Sequence, residues 1–297
     1  MITLAAIDAR TQQALSCGAL ARIDTVEERL PEQGVEFIVR RVSSLARKAE
    51  AARPREDAPP RNPFLPPEPE LTVGAVGPVH VAVLNKYPVI DRHLLIVTRE
   101  FIPQEALLDR QDLGALASVM REFPSLGFYN GGKAAGASQP HKHLQVVPLP
   151  LGRGDAPLPI APWIQSAGAV DGFGVIPQFA FAHALARFDP ATLDTGDAAA
   201  RLEGTYRALL DRVGIGAEAA EGFTVQSAPY NLLVARDWML VVRRAREHAD
   251  GISVNTLGYA GSLFVKDEAQ LARVRRIGPL AVLRSVAAPA ATGDGAA

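Results

Sequence analysis

Only one cysteine, Cys17, stands among the 297 residues, so no intramolecular disulfide can form and a reducing compartment suits the chain. No run of eighteen uninterrupted apolar residues is present, and Met1 to Arg10 lacks a basic region followed by a long apolar run. A spanning helix and a secretory leader are therefore not expected, and the chain reads as a soluble cytoplasmic protein. Neither sign of charge is in excess, since 31 basic and 32 acidic side chains leave a formal charge of −1. Bulk attraction to nucleic acid is thereby excluded, and any polyanion must be met by a local cluster. C-x-x-C and H-E-x-x-H are both missing among six histidines, which weakens a zinc reading. What the chain has in plenty is apolar side chains, 48% of the total, enough for one large or two modest cores.

The stretch richest in chemistry runs from Asn130 to Pro150. From His141 to Val147 it reads as a strand whose period of two puts His141, His143 and Gln145 on one face and Lys142, Leu144 and Val146 on the other. Ahead of it, Gly131, Gly132 and Gly136 make a loop whose backbone N–H groups can approach a ligand closely. Such a donor-rich loop feeding a histidine strand suits phosphate or nucleotide binding. A metal site, from two imidazoles converging on one point, is the first alternative, although Gln145 is a poor zinc ligand. A pair of core histidines satisfied by carbonyls is the second; it leaves the glycine loop and Ser138-Gln139 unexplained.

In chain order, Leu15, Leu20, Ile23, Val26 and Leu30 keep helical spacings, predicting two N-terminal helices between Leu4 and Gln33. Val35 to Arg40 alternates as a strand. Seven prolines between Ala51 and Pro69 predict an extended connector. Val79–Pro88 and His93–Val97 form an antiparallel hairpin whose turn carries Asn85 and Lys86, and His93 reads as a satisfied core or rim residue. Glu105 to Glu122 is a helix with one buried face, and Phe128-Tyr129-Asn130 returns to the sheet. His183–Phe188, a helix over Ala198–Val213 and a second apolar hairpin around Arg236-Asp237 follow. Gln270–Leu283 is predicted as a last helix and Ala287–Ala297 as a disordered tail.

Gly136-Ala137-Ser138-Gln139-Pro140-His141-Lys142-His143-Leu144-Gln145 resembles the active-site signature of the ATP adenylyltransferases. These diadenosine tetraphosphate phosphorylases form part of the transferase branch of the histidine-triad superfamily, with galactose-1-phosphate uridylyltransferase. The resemblance implies that His143 is the nucleophile and that Gln145 stands where hydrolases of the superfamily hold a third histidine, with His141 the remaining catalytic member. It implies substrate contacts from Lys48, from Asn85 and Lys86 in the Asn-Lys-Tyr-Pro-Val turn, and from Asn130, Gly136, Ala137, Ser138 and Gln139. Asn62-Pro63-Phe64-Leu65-Pro66 resembles a segment packed near the nucleotide. Asn255, Thr256, Ser262 and Lys266, within Ser253–Lys266, resemble contacts to the rest of a dinucleotide polyphosphate.

The implied fold is α+β, a HIT-like antiparallel sheet with flanking helices. A short echo between Trp238–Arg244 and His93–Arg99 points to two degenerate half-repeats, as in galactose-1-phosphate uridylyltransferase. The expected parts are a catalytic N-terminal part over 1–190, a C-terminal part over 191–286 that completes the nucleotide site, and the tail over 287–297. The implied reaction is reversible phosphorolysis of diadenosine tetraphosphate to ADP and ATP through an AMP–His143 intermediate. Its partners are dinucleoside polyphosphate, ATP, ADP and inorganic phosphate, with neither nucleic acid nor membrane, on a monomer. Magnesium is expected as part of the bound nucleotide, with no dedicated protein metal site. Two other classes share the motif: a nucleotidyl transferase acting on adenylyl sulfate or a nucleotide sugar, and a noncatalytic nucleotide-binding protein.

Overall fold

A computed structural model of the chain describes residues 1–42, 62–152 and 156–290. Helix α1 (Leu4–Ser16) starts where the Thr3 hydroxyl accepts the Ala6 N–H at 3.2 Å, and it buries Ile7, Thr11 and Ala14. No second helix follows. Strand β1 (Thr25–Glu32) pairs instead with β2 (Val35–Val42) across Gln33-Gly34, whose φ values of 48° and 82° are those a tight hairpin turn requires. Val26 and Leu30 lie four apart, a spacing that fits one face of a helix and one face of a strand equally, so the turn and the pairing decide.

The main sheet has ten strands, all paired antiparallel. β3 (Thr72–Val76), β4 (His80–Leu84) and β5 (Leu94–Thr98) precede helix α2 (Arg110–Met120). β6 (Ser125–Gly131), β7 (His143–Pro148), the short helix α3 (Ala161–Ser166), β8 (Ala169–Val170), β9 (Phe173–Gly174) and β10 (His183–Arg187) follow. Next come helix α4 (Ala198–Arg212), the hairpin β11 (Ala217–Ala220) and β12 (Phe223–Gln226), then β13 (Tyr230–Val234) and β14 (Trp238–Arg243). The spatial order is β3-β4-β5-β7-β6-β13-β14-β10-β9-β8. β15 (His248–Ala249) and β16 (Ile252–Ser253) form a small ladder, while β17 (Ser262–Val265) joins β2 in parallel. Among the described residues no helix is long and apolar enough to cross a membrane.

Two units of like topology make up the sheet. β5 leads through α2 to β6 and β7 and lies in the order β5-β7-β6; β10 leads through α4 to β13 and β14 and lies in the order β10-β14-β13. They meet at β6–β13, where Asn130 is opposite Asn231. The half-repeats are therefore present, but β14 stands where β7 does, not where β5 does. The echo of His93–Arg99 in Trp238–Arg244 reflects the apolar composition that buried strands share.

One row of paired residues crosses seven strands: Val83, Leu95, Gln145, Phe128, Leu233, Leu240 and Leu185. All of them face the same way. Over the second unit, Trp163, Phe179, Phe181 and Tyr259 cover that face in one apolar cluster. Over the first unit the same face lines a cavity. The opposite face is closed by α2 and α4, which pack on Leu94, Ile96, Leu144, Val146, Leu232 and Val241.

Helix α2 begins five residues later than the apolar spacing predicts. Asp109 caps it by accepting from Gln111 N–H (2.7 Å) and Asp112 N–H (2.9 Å), while the Asp112 carboxylate accepts the Asp109 N–H at 3.0 Å. Before it, the backbone is drawn into bridges with His141 and Val225. The last predicted helix is two, α5 (Glu268–Ile277) and α6 (Pro279–Val286), because Gly278 at φ 88° and Pro279 end one and open the next. Of the expected tail, Ala288 is ordered in the sheet's hydrogen bonding, accepting from Ala182 and donating to Arg243 (both 2.9 Å), whereas 291–297 lie outside the described residues.

On the helix side, Lys142 is buried with its ammonium on Asp112 (2.6 Å) and on the Leu107 carbonyl (2.9 Å), and His80 donates to the same carboxylate at 2.8 Å. Burial alone would raise the Asp112 pKa, but the His80 hydrogen bond and the Lys142 charge outweigh it and hold the carboxyl below its ordinary value. Removing one partner of such a pair leaves an uncompensated buried charge. Lys142→Met is expected to lower stability by about 3–5 kcal/mol in urea unfolding, and a loss under about 1 kcal/mol would show that Asp112 does not depend on it.

Candidate active site

Two well-paired neighbours, β5 and β6, fix the direction of every side chain on β7. His143 and Gln145 face a cavity of about 440 Å³, and Leu144 and Val146 face the helices. The His143 ring donates from Nδ1 to the His141 carbonyl at 2.8 Å, so its Nε2 is the nitrogen left for the cavity. Its backbone N–H donates to Gln104 Oε1 at 2.9 Å, while Gln104 Nε2 donates to the Asn130 carbonyl at 2.9 Å. Phe64 packs against the ring with centroids 5.4 Å apart. Burial pushes the His143 pKa down to about 4, against a smaller opposing effect of the His141 carbonyl. The ring is neutral with a lone pair on Nε2, the form a nucleophile needs.

His141 does not share this position. Its Nε2 donates to the Thr98 carbonyl (2.9 Å), its Nδ1 accepts from Asn62 (2.9 Å), and Phe64 and Phe101 flank the ring. The residue sits two positions before β7, held by a bridge to Pro103, so strict alternation does not extend to it. Its carbonyl serves the site, and its imidazole stands off the cavity wall. Gln145 Oε1 meets His93 Nε2 at 2.8 Å, His93 Nδ1 meets Asn85 Nδ2 at 3.1 Å, and Asn85 Oδ1 accepts the Tyr87 N–H at 3.1 Å.

The glycine loop closes from the other side. Asn130, Gly136, Ala137, Ser138 and Gln139 line the cavity, as do Asn85, Lys86, Asn255 and Lys266. Lys86 is paired with Glu68 (2.7 and 3.0 Å). Gly136 has φ 93°, and a Cβ there would come within 2.9 Å of Asn255 Cα and the Val254 carbonyl, so its glycine is required by backbone packing. Close packing also explains Gly258, against Leu283 and Leu263, and Gly261, against Pro159.

Two expected contacts lie elsewhere. Thr256 is fully buried and binds the Asn130 side-chain oxygen through its N–H (2.9 Å) and hydroxyl (2.7 Å). Ser262, also fully buried, accepts from Arg40. Both are absent from the cavity wall because the tight turn Thr256–Ala260 and strand β17 direct them inward. Lys48 falls outside the described residues.

A family model for the Ap4A phosphorylase N-terminal domain matches residues 2–166, and one for the ATP adenylyltransferase C-terminal domain matches residues 177–289. The chain belongs to the Ap4A phosphorylase family. It is 26% identical over 275 residues to the protein APA1 of Saccharomyces cerevisiae, covering 84% of this chain and 82% of that one. Over 273 residues it is 28% identical to diadenosine 5',5'''-P1,P4-tetraphosphate phosphorylase 2 of the same yeast, covering 81% and 79%. The crystal structure of yeast Ap4A phosphorylase Apa2 superposes with a TM-score of 0.78 at 22% identity, covering 96% and 97% of the two chains. Its complex with AMP gives 0.74 at 24% identity and 98% coverage of each. The fold is thus that of this family.

Several residues at the site were not among the expected contacts. Gln104 is isolated in the sequence, yet it clamps β6 to β7 beside His143. Ile23, Leu71, Tyr87, Ile90 and Phe264 form apolar wall, and Glu68 and Glu247 bring carboxylates to it. Among the described residues no group of three or more His, Cys, Asp or Glu side chains is placed to hold a metal ion.

The depressed His143 pKa has a definite sign in stability. The unfolded ring binds its proton near 6.5 and the folded one near 4, so the unfolded chain takes up the proton first as pH falls. His143 therefore favours the folded state above 6.5 and loses that contribution between 6.5 and 4, and burial moves His141 and His183 in the same direction. Nitrogen-15 NMR should show the His143 ring neutral at pH 6, with the melting temperature falling as pH is lowered from 6.5; a ring already half protonated near 6.5 would contradict the buried geometry.

Proposed function

We propose that the cavity binds Ap4A with one α-phosphate over His143 and transfers AMP through that ring to inorganic phosphate. The observation that carries this is the neutral His143 ring, fixed through Nδ1 and presenting Nε2 to a cavity walled by Gln145 and the glycine loop. Membership of the Ap4A phosphorylase family and the ligands of the yeast enzyme, crystallised with AMP and with Ap4A, support the same substrate class here.

Nε2 attacks the α-phosphorus, a P–N bond forms, and the bond to the bridging oxygen breaks to release ATP. A phosphate oxygen then attacks the same phosphorus, breaking the P–N bond, releasing ADP and returning the lone pair to Nε2. Backbone donors of Gly136 to Ser138 and the Gln145 amide stabilise the charge that develops on the phosphoryl oxygens. Lys86, Asn255 and Lys266 supply further contacts to the polyphosphate and the second nucleotide, and the apolar wall takes a base. The part up to about residue 190 supplies the nucleophile, and the part from 191 completes the nucleotide site.

Gln145 favours transfer over hydrolysis. An amide donates a hydrogen bond but cannot take a proton from water, so position 145 offers no base to activate water against the AMP–histidine bond. Magnesium enters as the counter-ion of the polyphosphate. A monomer in the cytoplasm, where phosphate is at hand and the exposed thiol of Cys17 stays reduced, is the setting we assign.

Wild-type and His143→Ala proteins incubated with Ap4A, with and without phosphate, test this reading. ADP and ATP should form only with wild type and only with phosphate, and His143→Ala should lose about 10⁴-fold or more. AMP and ATP formed without phosphate would show that Gln145 does not prevent hydrolysis. Absence of turnover by wild type would sink the substrate and redirect the assay to adenylyl sulfate and nucleotide sugars. Gln145→His is expected to raise the phosphate-independent release of AMP, read in the same separation.

A further inference from the structure

One chain of hydrogen bonds on the cavity wall takes its direction from a single backbone donor. The Tyr87 N–H can only donate, so the Asn85 atom that it meets is the side-chain oxygen. The nitrogen of that amide then faces His93 Nδ1 and donates to it, which makes Nδ1 the unprotonated ring nitrogen. The ring proton accordingly sits on Nε2, which donates to Gln145 Oε1 across 2.8 Å. The oxygen of Gln145 is thereby occupied, and the NH₂ group is the end left to meet a ligand. Were any member reversed, every later one would reverse with it, and a carbonyl oxygen would face the oxygens of a phosphate.

We propose that His93 is a positioning residue of the nucleotidyl transfer: it locks the Gln145 side chain so that its nitrogen, not its oxygen, points at the transferring phosphoryl group. This rests on the AMP transfer proposed above and specifies how the Gln145 donor is kept in place. The terminal torsion of glutamine is broad and nearly two-fold, so the side chain has no preference of its own for either end. The buried His93 ring, 7% exposed, supplies that preference. Its sequence signal is a polar residue at the head of an apolar strand, and its hydrogen bonds satisfy it in one direction only.

Four variants test the assignment: His93→Leu, His93→Gln, Gln145→Ala and the double variant His93→Leu with Gln145→Ala, each assayed for kcat and KM in Ap4A phosphorolysis. His93→Leu should lower kcat about 10²-fold, the typical loss for one donor to a developing charge, with KM changed less than about threefold. His93→Gln keeps an acceptor for Asn85 and a donor for Gln145, and should recover most of that loss. In the Gln145→Ala background, His93→Leu should cost less than about threefold more, because both changes remove one device. A merely structural role for His93 predicts instead that the two losses multiply; that result, or an unchanged kcat in His93→Leu, overturns the proposal. Should His93→Leu fail to fold, nitrogen-15 NMR of the wild-type ring decides: a proton on Nε2 is expected, and a proton on Nδ1 overturns the lock. Wild type without turnover would defeat the transfer reading, and the same spectrum would still judge the direction of the chain.

Discussion

The guanidinium of Arg244 is the point on which the site depends. It is 2% exposed and donates to six oxygens, none of them a carboxylate: the carbonyls of Ala135, Val254, Val286, Arg246 and Glu247 and the side chain of Asn231. Asn231 passes the connection on, since its amide reaches Asn130 (3.1 Å), the Ala135 carbonyl (2.8 Å) and Thr256 (2.7 Å). A buried charge with no carboxylate hydrogen-bonded to it is tolerated only when many dipoles converge on it, and here those dipoles come from segments distant in the chain. The glycine loop, the β13–β14 hairpin, the turn at 246–247 and the end of α6 are thereby held to one centre. Thr256 belongs to this junction and helps to fix Asn130, which explains why a residue resembling a ligand contact has no place on the cavity wall.

The same sheet presents very different surfaces over its two units. In the second, aromatic side chains from 163–181 and Tyr259 seal the face; in the first, the matching row ends on Gln145, Leu95 and Val83 and stays open to the cavity. Desolvation by this partly enclosed wall keeps His143 neutral. A pKa moved from 6.5 to about 4 corresponds to roughly 3 kcal/mol against protonation, enough to keep the proton off near neutral pH. The ring stays unprotonated without a neighbouring base, and the amide of Gln145 beside it cannot accept a proton.

How far the sequence could be read depended on how local each determinant is. The hairpin of β4 and β5, the strand β7 and the helices α2 and α4 follow from periodicity and turn residues within short windows. The glycine loop and the pair His143 and Gln145 were legible for the same reason. The second N-terminal helix was misread because a four-residue spacing cannot separate helix from strand, and the final helix because Gly278-Pro279 lay inside an otherwise sound pattern. His141 departs from expectation because the strand's alternation begins two residues later, at His143. Gln104, Arg244 and the apolar wall gave no local sign, since their partners lie far away along the chain.

By itself the sequence determined the chemistry on offer: a histidine and an amide two residues apart on a strand, donors in a glycine loop, and no side chain at position 145 able to accept a proton. These are properties of residue type and of spacing within one strand, which the period of two converts directly into a shared direction. Only the tertiary structure decided the state and neighbours of those groups. Which nitrogen of His143 is left over, which end of Gln145 faces the cavity, and which polar residues line the wall are set by carbonyls, amides and desolvation contributed from remote segments. Hydrogen-bond direction and burial are properties of the folded environment, and no local pattern contains them.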